Sequence, residues 1–273
     1  MQNSRIGFRV SRKKLILFFL VAFICSSKDL FCAENNLFEE RSQHFIIHYD
    51  KKIDKSFIKD IIDASEDYYE QIADNLGLRR FDYWLWDERA HIYIYANKEE
   101  FAKETGQPDW SGGCADYYNK KLWTYPHAVG FFDSVLPHEL GHIMFREMVG
   151  FRRNVSLWLE EGAASYQEKS KRYAATSYVK DALAKNKLMT VGQLDKIEQP
   201  QMFEDDRDKI ELFYLEAVSI VNFLISDYGK EKFVTLCGHL KENLSFDNAL
   251  KQTYYNIQNK DDLNKKWMDF LKK

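Results

Sequence analysis

The apolar positions Ile58, Ile61, Ile62, Tyr69, Ile72 and Leu76 recur at helical spacing, behind Asp54 as a cap and ahead of Gly77 as a stop. That pattern predicts a long amphipathic helix. The period changes to two on either side of it. Phe45 to Tyr49 and His91 to Tyr95 alternate as strands. Asn97 with Glu100 then caps a short helix closed by Gly106. Trp110 to Tyr118 followed by Lys121 to Tyr125 has the form of a hairpin turning at Asn119-Lys120. Phe81 to Trp86 is an aromatic connection suited to packing against a core or a lid. Past about residue 171 the pattern is helical only, over Lys209 to Tyr228, Lys230 to Glu242, Phe246 to Thr253 and Asp261 to Leu271. No fixed repeat runs through these segments, which argues against a helical-repeat scaffold. The expected class is α+β, with a small N-terminal mixed sheet and helices followed by an all-helical C-terminal part.

The N-terminus has a different character. Arg5, Arg9, Arg12, Lys13 and Lys14 precede an unbroken apolar run from Leu15 to Ile24. Ten apolar residues fit the core of a signal peptide better than a bilayer span, which needs about 20. Residues 1–33 therefore read as an export signal, with an uncleaved anchor as the alternative, and no stable membrane span is expected after cleavage. The chain carries a formal charge of −3; with six basic residues and one acidic residue in that segment, the remainder holds 33 basic against 41 acidic residues, or −8. Such a balance argues against a nucleic-acid partner. Two cysteines, Cys114 and Cys237, lie beyond the signal, as one disulfide or two buried thiols.

Candidate chemistry centres on His138-Glu139-Leu140-Gly141-His142. In a helix, histidines four apart project from one face and can share a zinc ion, while Glu139 reaches a water on that metal. Ser134 is the expected N-cap, Pro137 falls in the first turn, and Gly150 ends the helix. Val135, Ile143, Phe145 and Met148 supply its apolar surface. A second helix is expected from Ser156 to about Lys171. It carries Glu160 and Glu161, which point about 100° apart, so only one of them can face the metal. Its small residues Gly162, Ala163 and Ala164 would let the two helices approach closely.

The words Trp158-Leu159-Glu160-Glu161-Gly162 and Ala164-Ser165-Tyr166, with eighteen residues between His142 and Glu161, resemble the gluzincin branch of zinc metallopeptidases. This is the group containing thermolysin, the alanyl-aminopeptidases and smaller peptidase-MA-like domains. The resemblance implies a zincin-like fold, a Zn2+ cofactor, and His138, His142 and Glu161 as its ligands, with Glu139 as general base. It implies a catalytic subdomain over 34–177 and a helical subdomain over 178–273 that completes the cleft. Where thermolysin places an Asp to orient a histidine, four positions past the ligand Glu, this chain has Ser165. Tyr214, opening Tyr214-Leu215-Glu216-Ala217-Val218, is similar to a tyrosine that faces the metal in peptidase-MA-like proteins and could donate to an oxyanion. The same residue could equally be core on the Phe213–Ala217–Val221 stripe. Gly112, Gly113, Cys114 and Ala115 stand where gluzincins carry an edge strand that pairs with substrate backbone.

The implied activity is hydrolysis of peptide bonds in a peptide or protein substrate by an exported enzyme. The aminopeptidase motif G-x-M-E-N, whose Glu grips a free amine, is absent ahead of His138, which favours an endopeptidase or a specialised amide hydrolase. The alternative is a catalytically silent zinc-bearing module that binds peptides or cell-envelope partners. His44 and His48 read as packed or exposed strand histidines, and His127 and His239 as secondary candidates for proton donation.

Overall fold

The computed structural model describes residues 37–78, 84–108, 111–151, 155–198 and 206–273. The expected signal segment and Trp110 lie outside the described residues. Among the described residues, no helix is long and apolar enough to cross a membrane.

A five-stranded mixed sheet is built from β1 (Phe38–Arg41), β2 (Phe45–Tyr49), β3 (Ala90–Ile94), β4 (Gly113–Asp116) and β5 (Lys121–Thr124), in the order β1-β2-β3-β5-β4. β2, β3 and β5 run parallel, while β1 and β4 pair antiparallel at the two edges. Parallel neighbours need a crossover connection. Helix α1 (Lys55–Leu76) supplies it between β2 and β3, capped by Asp54, whose Oδ1 accepts from the Ser56 N–H at 2.8 Å, and ended by Gly77. Short helix α2 (Lys98–Thr105) follows β3, with Asn97 accepting from the Glu100 N–H at 2.9 Å.

The remaining elements are helical: α3 (Leu136–Val149), α4 (Leu157–Ser165), α5 (Lys169–Ala184), α6 (Val191–Leu194), α7 (Arg207–Tyr228), α8 (Lys230–Lys241), α9 (Phe246–Thr253) and α10 (Lys260–Leu271). One apolar core runs from Phe45 and Ile92 on the sheet, through Leu140 and Phe145 of α3, to Phe213, Val221 and Trp267. Helix α7 is buried along most of its length and packs against α4 and α5. Glycines set the spacing of the three central helices. A Cβ on Gly141 would fall 3.0 Å from Ala164 Cα, and one on Gly162 would fall 2.6 Å from the Ala217 carbonyl oxygen. The small residues of α4 thus permit contact with α3 on one side and α7 on the other.

Two expectations about helix ends are corrected. Ser134 does not cap α3, because a π-helical turn over Phe131–Val135 runs directly into it, and the Ser134 and Val135 N–H groups both donate to Gly130 O. The Ser134 hydroxyl instead donates to the Glu168 carboxylate, a buried charge that needs donors. Nor is Ser156 to Lys171 one helix. The chain leaves the helix after Ser165 and resumes it at Lys169, and the break turns Gln167 and Glu168 inward. Gln167 accepts from Asn75 at 3.0 Å and donates to Ala163 O at 3.0 Å.

In the aromatic connection, Trp84 is fully buried and its Nε1–H donates to Glu147, at 2.9 and 3.0 Å to the two oxygens, whereas Trp86 is exposed. Cys114 and Cys237 are both buried and are not joined in a disulfide.

Candidate metal centre

Helix α3 carries His138 and His142 on one face, and α4 brings Glu161 against them. The two Nε2 atoms lie 3.0 Å apart, and Glu161 Oε2 lies 3.6 Å from each. Two ligand atoms sharing a tetrahedral zinc, at bonds of about 2.0–2.1 Å, stand roughly 3.3 Å apart. The three spacings bracket that value. Among the described residues this is the one group of His, Cys, Asp or Glu that could hold a metal ion, with all ligand atoms within 4.8 Å of one another. All three residues are buried, and Glu161 Oε2 has no hydrogen-bond partner among the described residues. A buried carboxylate oxygen without a donor is costly unless a cation satisfies it.

Charge points the same way. Four buried carboxylates, on Glu139, Glu160, Glu161 and Glu168, face two cations, on Arg146 and Lys171. With both imidazoles neutral, as metal ligation requires, and all four carboxyls ionised, two negative charges remain, the charge a divalent ion cancels. The residues present therefore fit a zinc-type ion with an N,N,O donor set.

Each imidazole has a carboxylate behind it. His138 Nδ1 lies 2.8 Å from Glu168 Oε1, which fixes the proton on Nδ1 and aims the Nε2 lone pair at His142 and Glu161. Ser165 Oγ is farther from the same nitrogen, at 3.4 Å. The carboxylate that orients His138 is thus three residues beyond the serine at the expected position. Burial would raise the Glu168 pKa, but Lys171 and His138 outweigh it and hold it down at about 2. Glu160 stands 3.7 Å from His142 Nδ1, beyond hydrogen-bond reach, and is gripped by Arg146 with one contact at 2.6 Å. It points to the far side of the imidazole from Glu161, so the two adjacent glutamates divide between the two faces of the site. Burial alone would lower the His142 pKa; Glu161 and Glu160 raise it to about 10 in the metal-free protein.

Glu139 is buried, and burial lifts its pKa, with Glu161 adding to the rise and both histidines opposing it. Its Oε2 accepts from the Tyr117 hydroxyl at 3.2 Å, and the Tyr117 ring stacks on His142 at 4.6 Å. Burial and the Glu139, Glu161 and Glu160 charges keep that phenol protonated. Tyr117 was not singled out from the sequence, because it reaches the site only through the fold of the hairpin. Tyr214 is 2 % exposed on α7, and its pKa is raised by burial and then by the Glu161, Glu168 and Glu139 charges, which keeps the phenol protonated. The Lys171 ammonium lies 5.4 Å from its ring centroid.

β4 is an edge strand of the sheet, and Gly112 through Ala115 are all buried. A Cβ on Gly113 would fall 2.8 Å from the Val135 side chain, so glycine here seats the turn that leads into α3. The Gly112 and Gly113 carbonyls accept from Thr124 and Ser111 hydroxyls, both at 2.8 Å. His127 is exposed in the loop after β5, and His239 pairs with Thr253 at 3.1 Å in the C-terminal helices. His44 is spent on Glu66 at 2.6 Å, and His48 on His91 at 2.8 Å.

The sequence matches the family profile of the peptidase MA superfamily over residues 86–273, more than half of the chain. The chain belongs to the peptidase MA superfamily. No curated protein matches it. Membership in the peptidase MA superfamily and the His138–His142–Glu161 group together point to a metallopeptidase.

Proposed function

We propose that the protein is a zinc-dependent peptidase of the gluzincin type, in which His138, His142 and Glu161 hold the metal and Glu139 is the general base. The observation that carries the reading is the convergence of three buried ligand atoms at 3.0, 3.6 and 3.6 Å, with a second buried carboxylate, that of Glu139, on the residue after His138. An ion held by these three residues would supply Lewis acidity and bring the pKa of a water down toward neutrality.

The chain's own groups do the rest. Glu139 offers Oε1 to the attacking water, since Tyr117 holds Oε2. Its raised pKa keeps the accepted proton available for the leaving amine. Tyr214, protonated and close to the cluster, donates to the oxyanion that develops on the scissile carbonyl. Glu168 fixes the His138 tautomer, and Arg146 keeps Glu160 off the metal. Gly112 and the first residues of the edge strand β4, as far as Ala115, are the segment on which an extended substrate backbone would align. Lacking an amine-gripping G-x-M-E-N motif, the enzyme acts on internal peptide bonds or on a specialised amide, after export directed by residues 1–33.

A silent zinc-bearing binding module needs no general base, and the retention of Glu139 with a dedicated Tyr117 donor speaks for catalysis. The test is turnover of an unbiased peptide library by wild type and Glu139→Gln, each with and without a chelator. Chelator-sensitive hydrolysis by wild type, lost in a Glu139→Gln protein that still binds one zinc, is the expected outcome. Equal hydrolysis by the two proteins removes Glu139 as base, and no hydrolysis by either leaves the binding module.

A further inference from the structure

The break between α4 and α5 leaves Lys171, one helical turn past Glu168, with its ammonium in the interior. Lys171 is 4 % exposed, and its Nζ donates to Glu168 Oε1 at 2.6 Å, the same oxygen that faces His138 Nδ1 at 2.8 Å. The ammonium also sits over the face of Tyr214, 5.4 Å from the ring centroid. A lysine is almost never buried unless paired, and this one meets Glu168, in the break before α5, and the ring of Tyr214 on α7.

We propose that Lys171 is a positioning residue of the metal centre: it holds Glu168 in place as the acceptor for His138 and fixes the seat of the Tyr214 ring. The proposal rests on the metallopeptidase reading of His138, His142 and Glu161. Physically, among the described residues the Glu168 carboxylate has three partners, the His138 imidazole, the Ser134 hydroxyl and the Lys171 ammonium, and of these Lys171 brings a full positive charge. Without that charge, the His138 proton is the strongest remaining donor, and the buried carboxylate draws the imidazole toward itself and off the line to Glu161. Partners behind a metal-bound histidine are commonly worth 10–100-fold in metal affinity or activity. A lysine acting through Glu168 should reach the lower part of that range. Ordinary packing by Lys171 would instead change stability and leave the metal affinity alone.

Zinc dissociation constants from chelator competition decide between these, measured on wild type, Lys171→Met, Lys171→Arg, Glu168→Gln and the Lys171→Met/Glu168→Gln double variant. Lys171→Met is expected to weaken zinc about tenfold, and Lys171→Arg to recover most of the loss. In the Glu168→Gln background the Lys171→Met change should cost less than about twofold, because its target has gone. Should Lys171→Met fail to fold, Lys171→Gln keeps an N–H donor without the charge and is expected to show the same loss. Zinc affinity unchanged in Lys171→Met or Lys171→Gln overturns the proposal, as does an equal loss in the Glu168→Gln background. Failure of wild type itself to bind zinc overturns the metallopeptidase reading and this proposal with it.

Discussion

Two residues past Tyr214 on α7, Glu216 is fully buried, and both its oxygens look to one donor, the Met189 N–H at 3.1 and 3.3 Å. Burial raises its pKa from 4.5 to about 8, with the Met189 N–H opposing the rise. In the unfolded chain the carboxyl titrates near 4.5, so between about pH 4.5 and 8 the native state holds a proton that the unfolded state has released. Stability then falls as pH rises, because the native state binds more protons. At about 1.4 kcal/mol per pH unit, the whole interval is worth on the order of 5 kcal/mol. Relaxation around the charge will return part of this, leaving a few kcal/mol. Glu216→Gln keeps an oxygen for the Met189 N–H and cannot ionise. The expected result is a variant close to wild type in urea stability at pH 5 and more stable by about 2–4 kcal/mol at pH 8. The assay is chelator-treated protein unfolded in urea at both values, so that zinc does not enter. A wild-type minus variant difference that is the same at pH 5 and pH 8 refutes the reasoning.

Other perturbations read the site more directly. Gly162→Ala puts a Cβ 2.6 Å from the Ala217 carbonyl oxygen; the forced separation of α4 from α7 should cost about 1–3 kcal/mol in thermal unfolding and weaken zinc through Glu161. Tyr117→Phe removes the 3.2 Å donor to Glu139 and keeps the ring on His142, so kcat should fall about tenfold or more while the zinc dissociation constant stays within about twofold; a change confined to zinc affinity would contradict that role. With the His142 pKa at about 10 in the metal-free protein, zinc must displace a proton to bind. Zinc affinity should therefore rise with pH through neutrality, and calorimetry in buffers of different ionisation enthalpy should show net proton release near pH 7.5.

Much of this was legible in the chain because it depends on local periodicity. Asp54 and Gly77 bound α1 as their capping chemistry requires, and α8, α9 and α10 begin and end within a residue or two of the apolar patterns that announce them. The spacing of His138 and His142 survives because four residues make one helical turn whatever the surroundings. What local pattern could not show came from distant contacts. β1 reads Phe-Glu-Glu-Arg, a polar edge strand with no alternation, and it pairs only because β2 lies beside it. The break after Ser165 interrupts a sequence of good helix formers, since Gln167 and Glu168 find buried partners on α1 and α3. Glu168 left only a faint trace: seven residues past Glu161, it would share that residue's face had the helix run on unbroken, and the break places it by another route. Tyr117 left none, because nothing local links a hairpin turn to Glu139.

X-ray absorption at the zinc edge, on protein loaded with one equivalent of zinc, bears most directly on the central claim that α3 and α4 together form a single N,N,O site. The expected spectrum shows two imidazole ligands and oxygen scatterers at about 2.0–2.1 Å with no sulfur, and Glu161→Ala should bind zinc far more weakly with an altered first shell. A sulfur shell near 2.3 Å, a single imidazole, or a spectrum and affinity unchanged in Glu161→Ala would contradict it.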